Sequence, residues 1–152
     1  MQPDVTMARA ILDDNRYVVL GTADEHGTPW VSPVFYTLDG YGELLWVSDP
    51  QARHSRNLEV RNEVSLVVFD SRAGVGDARA VYLEGRAEEL TGAAIDPAAA
   101  RYNAEAVRKG GYEIGFAELH EGGAIRLYRA EISAHWVLDP GRVPNGRAPV
   151  VL

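Results

Sequence analysis

The chain contains no cysteine, which excludes disulfide staples, thiolate metal sites and a cysteine nucleophile, and fits a reducing compartment. No stretch approaches the ~20 apolar residues that a membrane-crossing helix needs, and the first residues, MQPDVTMARAILDDNRY, hold neither a basic segment nor an apolar run of roughly 7–15 residues. A cytoplasmic address is therefore expected, with no membrane partner. Positive charge is in short supply: 15 Lys and Arg stand against 22 Asp and Glu, a formal net charge of −7. Broad attachment to nucleic acid needs a cationic surface, so no nucleic-acid partner is expected and any anionic ligand has to be met locally.

Other absences narrow the chemistry. His26, His54, His120 and His135 lie far apart, without the H-x-x-x-H or H-E-x-x-H spacing of a zinc centre, so no metal is expected. There is no G-x-S-x-G elbow. Gly74-Val75-Gly76-Asp77-Ala78-Arg79 fails the dinucleotide fingerprint at its third glycine and reads as a loop. Glu88 and Glu89 are adjacent in a strand-like run, so they point to opposite faces and cannot pair as acid and base. No repeat, low-complexity tract or linker interrupts the chain.

What is present is ordinary globular material: 152 residues, 46% hydrophobic and 24% charged, enough for one core and one domain over residues 1–152. Val5, Ala8, Ile11 and Leu12 recur at helical spacing, which predicts an amphipathic helix over Asp4 to Asp14. YVVLGTA, TPWVSPVFYTL and ELLWVS then read as three strands joined by the turns DEHG and DGYG. A helix is predicted next, with Pro50 at its first position. VSLVVFD (Val64 to Asp70) and RAVYLEGRAEEL (Arg79 to Leu90) read as strands, Gly85 marking a bulge or a close backbone contact. Asp96-Pro97 opens a helix that Gly110-Gly111 closes. Ala124 to Leu138 is the last long strand, and a turn-rich, extended tail follows. Strands in runs rather than βαβ units predict a mainly β fold with a few helices, a six-stranded antiparallel barrel with Greek-key connections.

The most informative segment is Pro50-Gln51-Ala52-Arg53-His54-Ser55-Arg56-Asn57. A helix N-terminus carries about half a positive elementary charge, yet Arg53, His54 and Arg56 crowd it. A bound anion resolves the conflict, because free N–H groups and an arginine fork together suit a phosphate. A solvated basic face is the alternative. Trp30, Phe35, Tyr36 and Trp46 could cover a planar ring or simply fill the core.

Read in order, GTADEHGTPWVSPVFYTLDGYGELLWVSDPQARHSRNLEVRNEVSLVVF resembles the FMN-binding split-barrel superfamily named after pyridoxamine 5′-phosphate oxidase. GRAEEL and YRAEISAHWVLD resemble its later strands. The resemblance implies a split β-barrel that binds FMN at a homodimer interface. Carried over by position, Ser32, Pro33, Val34 and Thr37 would run along the flavin ring and ribityl chain. Val47 and Ser48 would continue that wall, and Arg53 and His54 would hold the phosphate. Trp136 and the tail after Asp139 would be the second chain's contribution. His54 stands where the family has lysine, Ser32 where the oxidases have arginine, and Ala80 where they have glutamine, so pyridoxamine phosphate oxidation is not expected. RHSRNL after the third strand is similar to actinobacterial split-barrel reductases that use a deazaflavin. The resemblance thus implies an FMN- or deazaflavin-dependent oxidoreductase acting on a small molecule whose identity the sequence does not name. A non-enzymatic flavin or haem binder and a cofactor-free interaction module are the competing classes. Homodimerisation is also expected because an open barrel would otherwise expose a sheet edge and an apolar face carrying Trp30, Phe35 and Trp46.

Overall fold

The computed structural model describes residues 3–142 and 146–152. It opens with α1 (Pro3–Asp14), whose Ala8 and Leu12 are fully buried on one side, as the helical spacing requires. There follow β1 (Tyr17–Ala23), β2 (Pro29–Phe35), β3 (Thr37–Asp39) and β4 (Glu43–Ser48), then α2 (Arg53–Val60). The chain continues through β5 (Glu63–Phe69), β6 (Ala80–Glu89), α3 (Ile95–Arg108), β7 (Arg126–Leu138) and β8 (Arg147–Val150). All pairings are antiparallel, in the order β2-β1-β5-β6-β7-β4-β3, with β8 added to β7. The sheet curls so that β2, at one end, approaches β4, which lies beside β3 at the other, without forming a ladder: a half-closed barrel split along the free edge of β2. Pro29 and Pro33 both lie on that edge strand.

Two expectations need correction. Eight strands form rather than six, because the run TPWVSPVFYTL breaks at Tyr36 into β2 and β3, and because Arg147–Val150 of the tail pairs with the end of β7. Tyr36 turns its N–H to the Arg16 carbonyl instead of a ladder partner, and its buried hydroxyl donates to Leu12 O. The second helix begins at Arg53 rather than at Pro50. Asp49 holds the intervening turn: its carboxylate accepts the Gln51 N–H at 2.8 Å and its carbonyl accepts the Ala52 N–H at 3.1 Å. Residues 143–145 of the tail lie outside the described residues.

Elsewhere local chemistry gives the expected result. Asp24 caps the DEHG turn by accepting the N–H groups of His26 and Thr28, each at 2.9 Å, and Gly27 takes φ 81°. The ladder between β6 and β7 slips at Glu84/Gly85, and a side chain on Gly85 would overlap the Glu131 carbonyl. That is the bulge its glycine announces.

The core has two parts. Inside the curl, Val18, Leu20, Val34, Leu66, Val68 and Leu83 meet Trp46 and α1. On the opposite face of β4 and β7, Leu45 and Leu127 meet Ile95, Ala98, Ala99, Tyr102 and Ala106 of α3. No helix is long and apolar enough to cross a membrane among the described residues.

Candidate cofactor site

The start of α2 sits where the barrel is split, held there by polar contacts that the sequence alone does not reveal. Asn57 Nδ2 donates to Thr22 Oγ1 at 3.0 Å, and Ser55 Oγ donates to the Asp49 carbonyl at 2.8 Å. Both side chains are buried, so the helix is pinned to β1 and to the turn after β4. Its first residue is Arg53. No side chain caps the N-terminus and no acid stands in the first turn, so its backbone N–H groups and the positive end of its dipole are uncompensated.

Arg53 is exposed and lies over the Trp30 indole, its guanidinium carbon 4.3 Å from the ring centroid. No ion pair engages Arg53 among the described residues. His54 turns inward, Nε2 2.9 Å from Ser48 Oγ, and burial holds its imidazole below the ordinary range. It is therefore neutral at pH 7 and can donate one hydrogen bond without carrying charge.

The site residues expected from the sequence fall into three groups. Ser48, Arg53 and His54 come together at the helix start, with Ser32 half-buried two residues along β2 from Trp30 and on its side of the strand. Val34 and Thr37 are buried and offer only backbone. Val34 is in the main core, while Thr37 is fully buried on the side facing α3, its Oγ1 without a hydrogen-bond partner. Val47 packs half-buried against the α3 cluster. Pro33 and Trp136 lie on the outer face of the sheet. They belong to one register row running Pro33, Val19, Val67, Tyr82, Trp136 and Pro149 across six strands. Trp136 is four strands from Pro33, about 19 Å at ~4.8 Å per strand, so within one protomer it cannot touch a ligand on β2.

One expectation about this face is corrected. Trp46 is fully buried, stacked on Tyr128 with centroids 5.7 Å apart and planes at 12°, so it forms no part of an exposed apolar face. Residues the sequence reading passed over take its place: Tyr17 is 61% exposed, Val31 66% and Phe69 46%. The signal was available, since YVVL and VSLVVF are apolar at odd and even positions alike, the mark of a strand covered on both faces. An open groove of about 780 Å³ is lined by Gly21, Val31, Gly85 and Ile132 together with Arg61 and Arg86. No cluster of three or more metal-ligating side chains exists among the described residues.

The haem-binding protein of Mycobacterium smegmatis superposes with a TM-score of 0.73 at 20% identity, over 99% of this chain and 59% of that one. This chain thus spans about three fifths of that protein's length. The haem storage protein HutZ of Vibrio cholerae gives 0.61 at 17% identity over 87% and 89% of the two chains. An F420 reductase gives 0.62 at 20% identity over 84% and 94%. No curated protein matches the sequence. At such identities these structures speak for the fold alone. The family model of pyridoxamine 5′-phosphate oxidase, however, matches residues 6–134, from within α1 to the second half of β7, and so takes in the split and the uncapped helix start: the chain belongs to the pyridoxamine 5′-phosphate oxidase family.

Proposed function

We propose that the protein is a flavin-dependent oxidoreductase that binds FMN along the free edge of β2, with the phosphate on Arg53 and the first N–H groups of α2. The observation that carries this reading is the uncapped helix start, basic where an acid would be favoured. Arg53 forms no ion pair there among the described residues, the Asp24 carboxylate acting on it only at longer range, and the Trp30 ring lies against its guanidinium. A phosphate would satisfy the dipole, the open N–H groups and the arginine together. His54 adds a neutral hydrogen-bond donor, and the exposed backbone of β2 can receive the polar rim of a flavin ring. FMN supplies the hydride chemistry when bound. The protein's part is to orient it, exclude water and hold the phosphate.

Two readings share the site. A deazaflavin carries the same kind of phosphate-bearing chain, and the likeness to an F420 reductase favours that cofactor for the same cradle. The haem-binding and haem-storage proteins of this fold favour a non-enzymatic haem binder, and the half-buried, neutral His54 has the imidazole that an iron would need. Homodimerisation fits all three. The outer face that holds Val31, Val67 and Trp136 is apolar and partly exposed, and packing it on a second copy would bring that copy's Trp136 toward the β2 edge. A reducing, cytoplasmic setting suits a chain without cysteine.

The test is titration of the purified protein with FMN, riboflavin, a deazaflavin and haem, followed by absorbance and calorimetry. Tight FMN binding with riboflavin at least tenfold weaker supports the reading. Equal affinity for FMN and riboflavin would remove the phosphate from the site, and binding of haem alone would move the protein to the carrier class.

A further inference from the structure

Of the 15 lysine and arginine side chains exactly one is a lysine, Lys109. Arginine keeps its charge at any pH the protein meets, whereas a lysine amine can lose its proton and attack an electrophile. Lys109 follows the last turn of α3 and reaches over the corner where β2 passes into β3. Its Nζ donates to the Tyr36 carbonyl at 2.8 Å and sits 3.5 Å from the centroid of the Tyr36 ring and 5.5 Å from that of Phe35. Arg16 fixes the backbone beneath it, Nε donating to the Lys109 carbonyl at 3.0 Å.

No carboxylate forms an ion pair with this amine among the described residues. The charges that face it come in opposing pairs, Arg108 and Arg16 against Glu105 and Asp13. Burial is the largest influence, and together they push Lys109 down to about 8. About a tenth of the amine is then neutral at pH 7, against less than about a thousandth for an ordinary lysine. In the neutral form one N–H can stay on the Tyr36 carbonyl, a bond that does not use the nitrogen lone pair.

The surroundings are aromatic. Phe35 meets Tyr17 edge-on at 6.2 Å and Tyr102 at 6.3 Å, and the Tyr17 end of this wall is 61% exposed. Gly111 passes over Phe35 so closely that a side chain there would lie 3.2 Å from Phe35 Cζ, which keeps the ring in place.

We propose that Lys109 is a covalent docking point for aromatic aldehydes, which it captures reversibly against the wall formed by Tyr17 and Phe35. The amine nitrogen bonds to the carbonyl carbon and one of its protons passes through solvent to the oxygen; the second follows as the C–O bond breaks, the C=N bond closes and water leaves. Hydrolysis reverses each step, and no electrons change hands. The ring of the aldehyde takes the offset or edge-on contacts that aromatic side chains favour. This capture does not depend on a flavin.

The chain has two kinds of amine, Lys109 and the N-terminus, so trapping reads cleanly. Wild-type protein is treated at pH 7.5 with benzaldehyde and sodium cyanoborohydride, which reduces an imine to a stable secondary amine, and the products are located by peptide mass spectrometry. Nα-acetyl-lysine amide is the reference amine. Lys109 should be benzylated at least tenfold faster than the reference, the advantage should shrink for propanal, and Phe35→Ala should lower it. Lys109→Arg should leave only the N-terminal adduct. Label confined to the N-terminus, a Lys109 rate equal to the reference, or an advantage as large for propanal as for benzaldehyde would overturn the proposal.

Discussion

Arg53 and Trp30 form a stacked pair across the gap between α2 and β2, guanidinium over indole at 4.3 Å. A guanidinium that rests its flat face on a ring keeps its in-plane N–H groups for other partners, the arrangement a phosphate needs. If FMN is the ligand, Arg53→Ala should weaken its binding by about ten- to a hundredfold, from charge-assisted bonds of roughly 1.5–3 kcal/mol, while riboflavin binding stays nearly unchanged. Trp30→Ala removes only the orientation and should weaken FMN by about two- to fivefold, from a stacking contribution of roughly 0.5–1 kcal/mol. Calorimetric titration of both flavins into the three proteins checks the pattern.

Val31 is 66% exposed on the outer face of the free edge strand. In an isolated protomer Val31→Asp should be nearly silent, since the side chain meets water. In a dimer built on that face the carboxylate would be buried without a partner. Light scattering at micromolar concentration should report a dimer for the wild type and a monomer for the variant, with the circular dichroism spectrum unchanged. A wild-type monomer would remove this face as an interface.

The pH dependence of stability has a definite sign on both sides of neutrality. Lys109 is pushed down to about 8 in the folded chain from an ordinary 10.5, so between these values the unfolded chain binds more protons. Stability should therefore rise as pH increases from about 8, until the buried tyrosines oppose it. Tyr36 and Tyr102 are both held above the ordinary value of 10.0 by burial, and folding loses stability once unfolded tyrosines ionise there. On the acid side, burial lowers His54 and His135, so stability should fall as pH drops through about 6.5. Urea midpoints from pH 5 to pH 10 measure both limbs, and Lys109→Gln should flatten the rise above pH 8.

Gly85→Ala should be among the most damaging single-methyl additions available. The added carbon would overlap the Glu131 carbonyl in the middle of the β6–β7 ladder, where backbone rather than a flexible side chain must move. A loss of about 3 kcal/mol or more is expected, at the upper end of overpacking effects, and should appear as a lowered thermal midpoint. Gly42→Ala, whose added carbon meets nothing within 4 Å, is the control.

Much of the fold was legible because it rests on short-range chemistry. Asp24 and Gly27 announce the β1–β2 turn, Asp96-Pro97 and Gly110-Gly111 bracket α3, and Gly85 marks the bulge. The break at Tyr36 was not legible, because it depends on the Arg16 carbonyl twenty residues earlier taking the Tyr36 N–H. Nor was the choice between core and exposed face for Trp46, which its register opposite Tyr128 on β7 decides. At the site, the misplaced charges of Arg53 and His54 could be read from spacing. The partners that give them direction, Trp30 and Ser48, belong to other strands. Lys109 escaped notice for the same reason, since its neighbours Tyr36 and Arg16 are set by tertiary contact.

The free edge of β2 carries Pro29 and Pro33. An unpaired strand is a template on which other chains can add, and a protein that leaves one open to admit a ligand risks polymerising through it. Each proline removes an N–H donor and stiffens the strand, so a foreign strand arriving at β2 would find an interrupted ladder, whereas a small molecule needs only one or two of the remaining groups. The edge is thereby selective by size before it is selective by chemistry. Crowded solutions should leave this protein dispersed, and replacing both prolines with valine should let it creep toward fibrils while each fold remains intact.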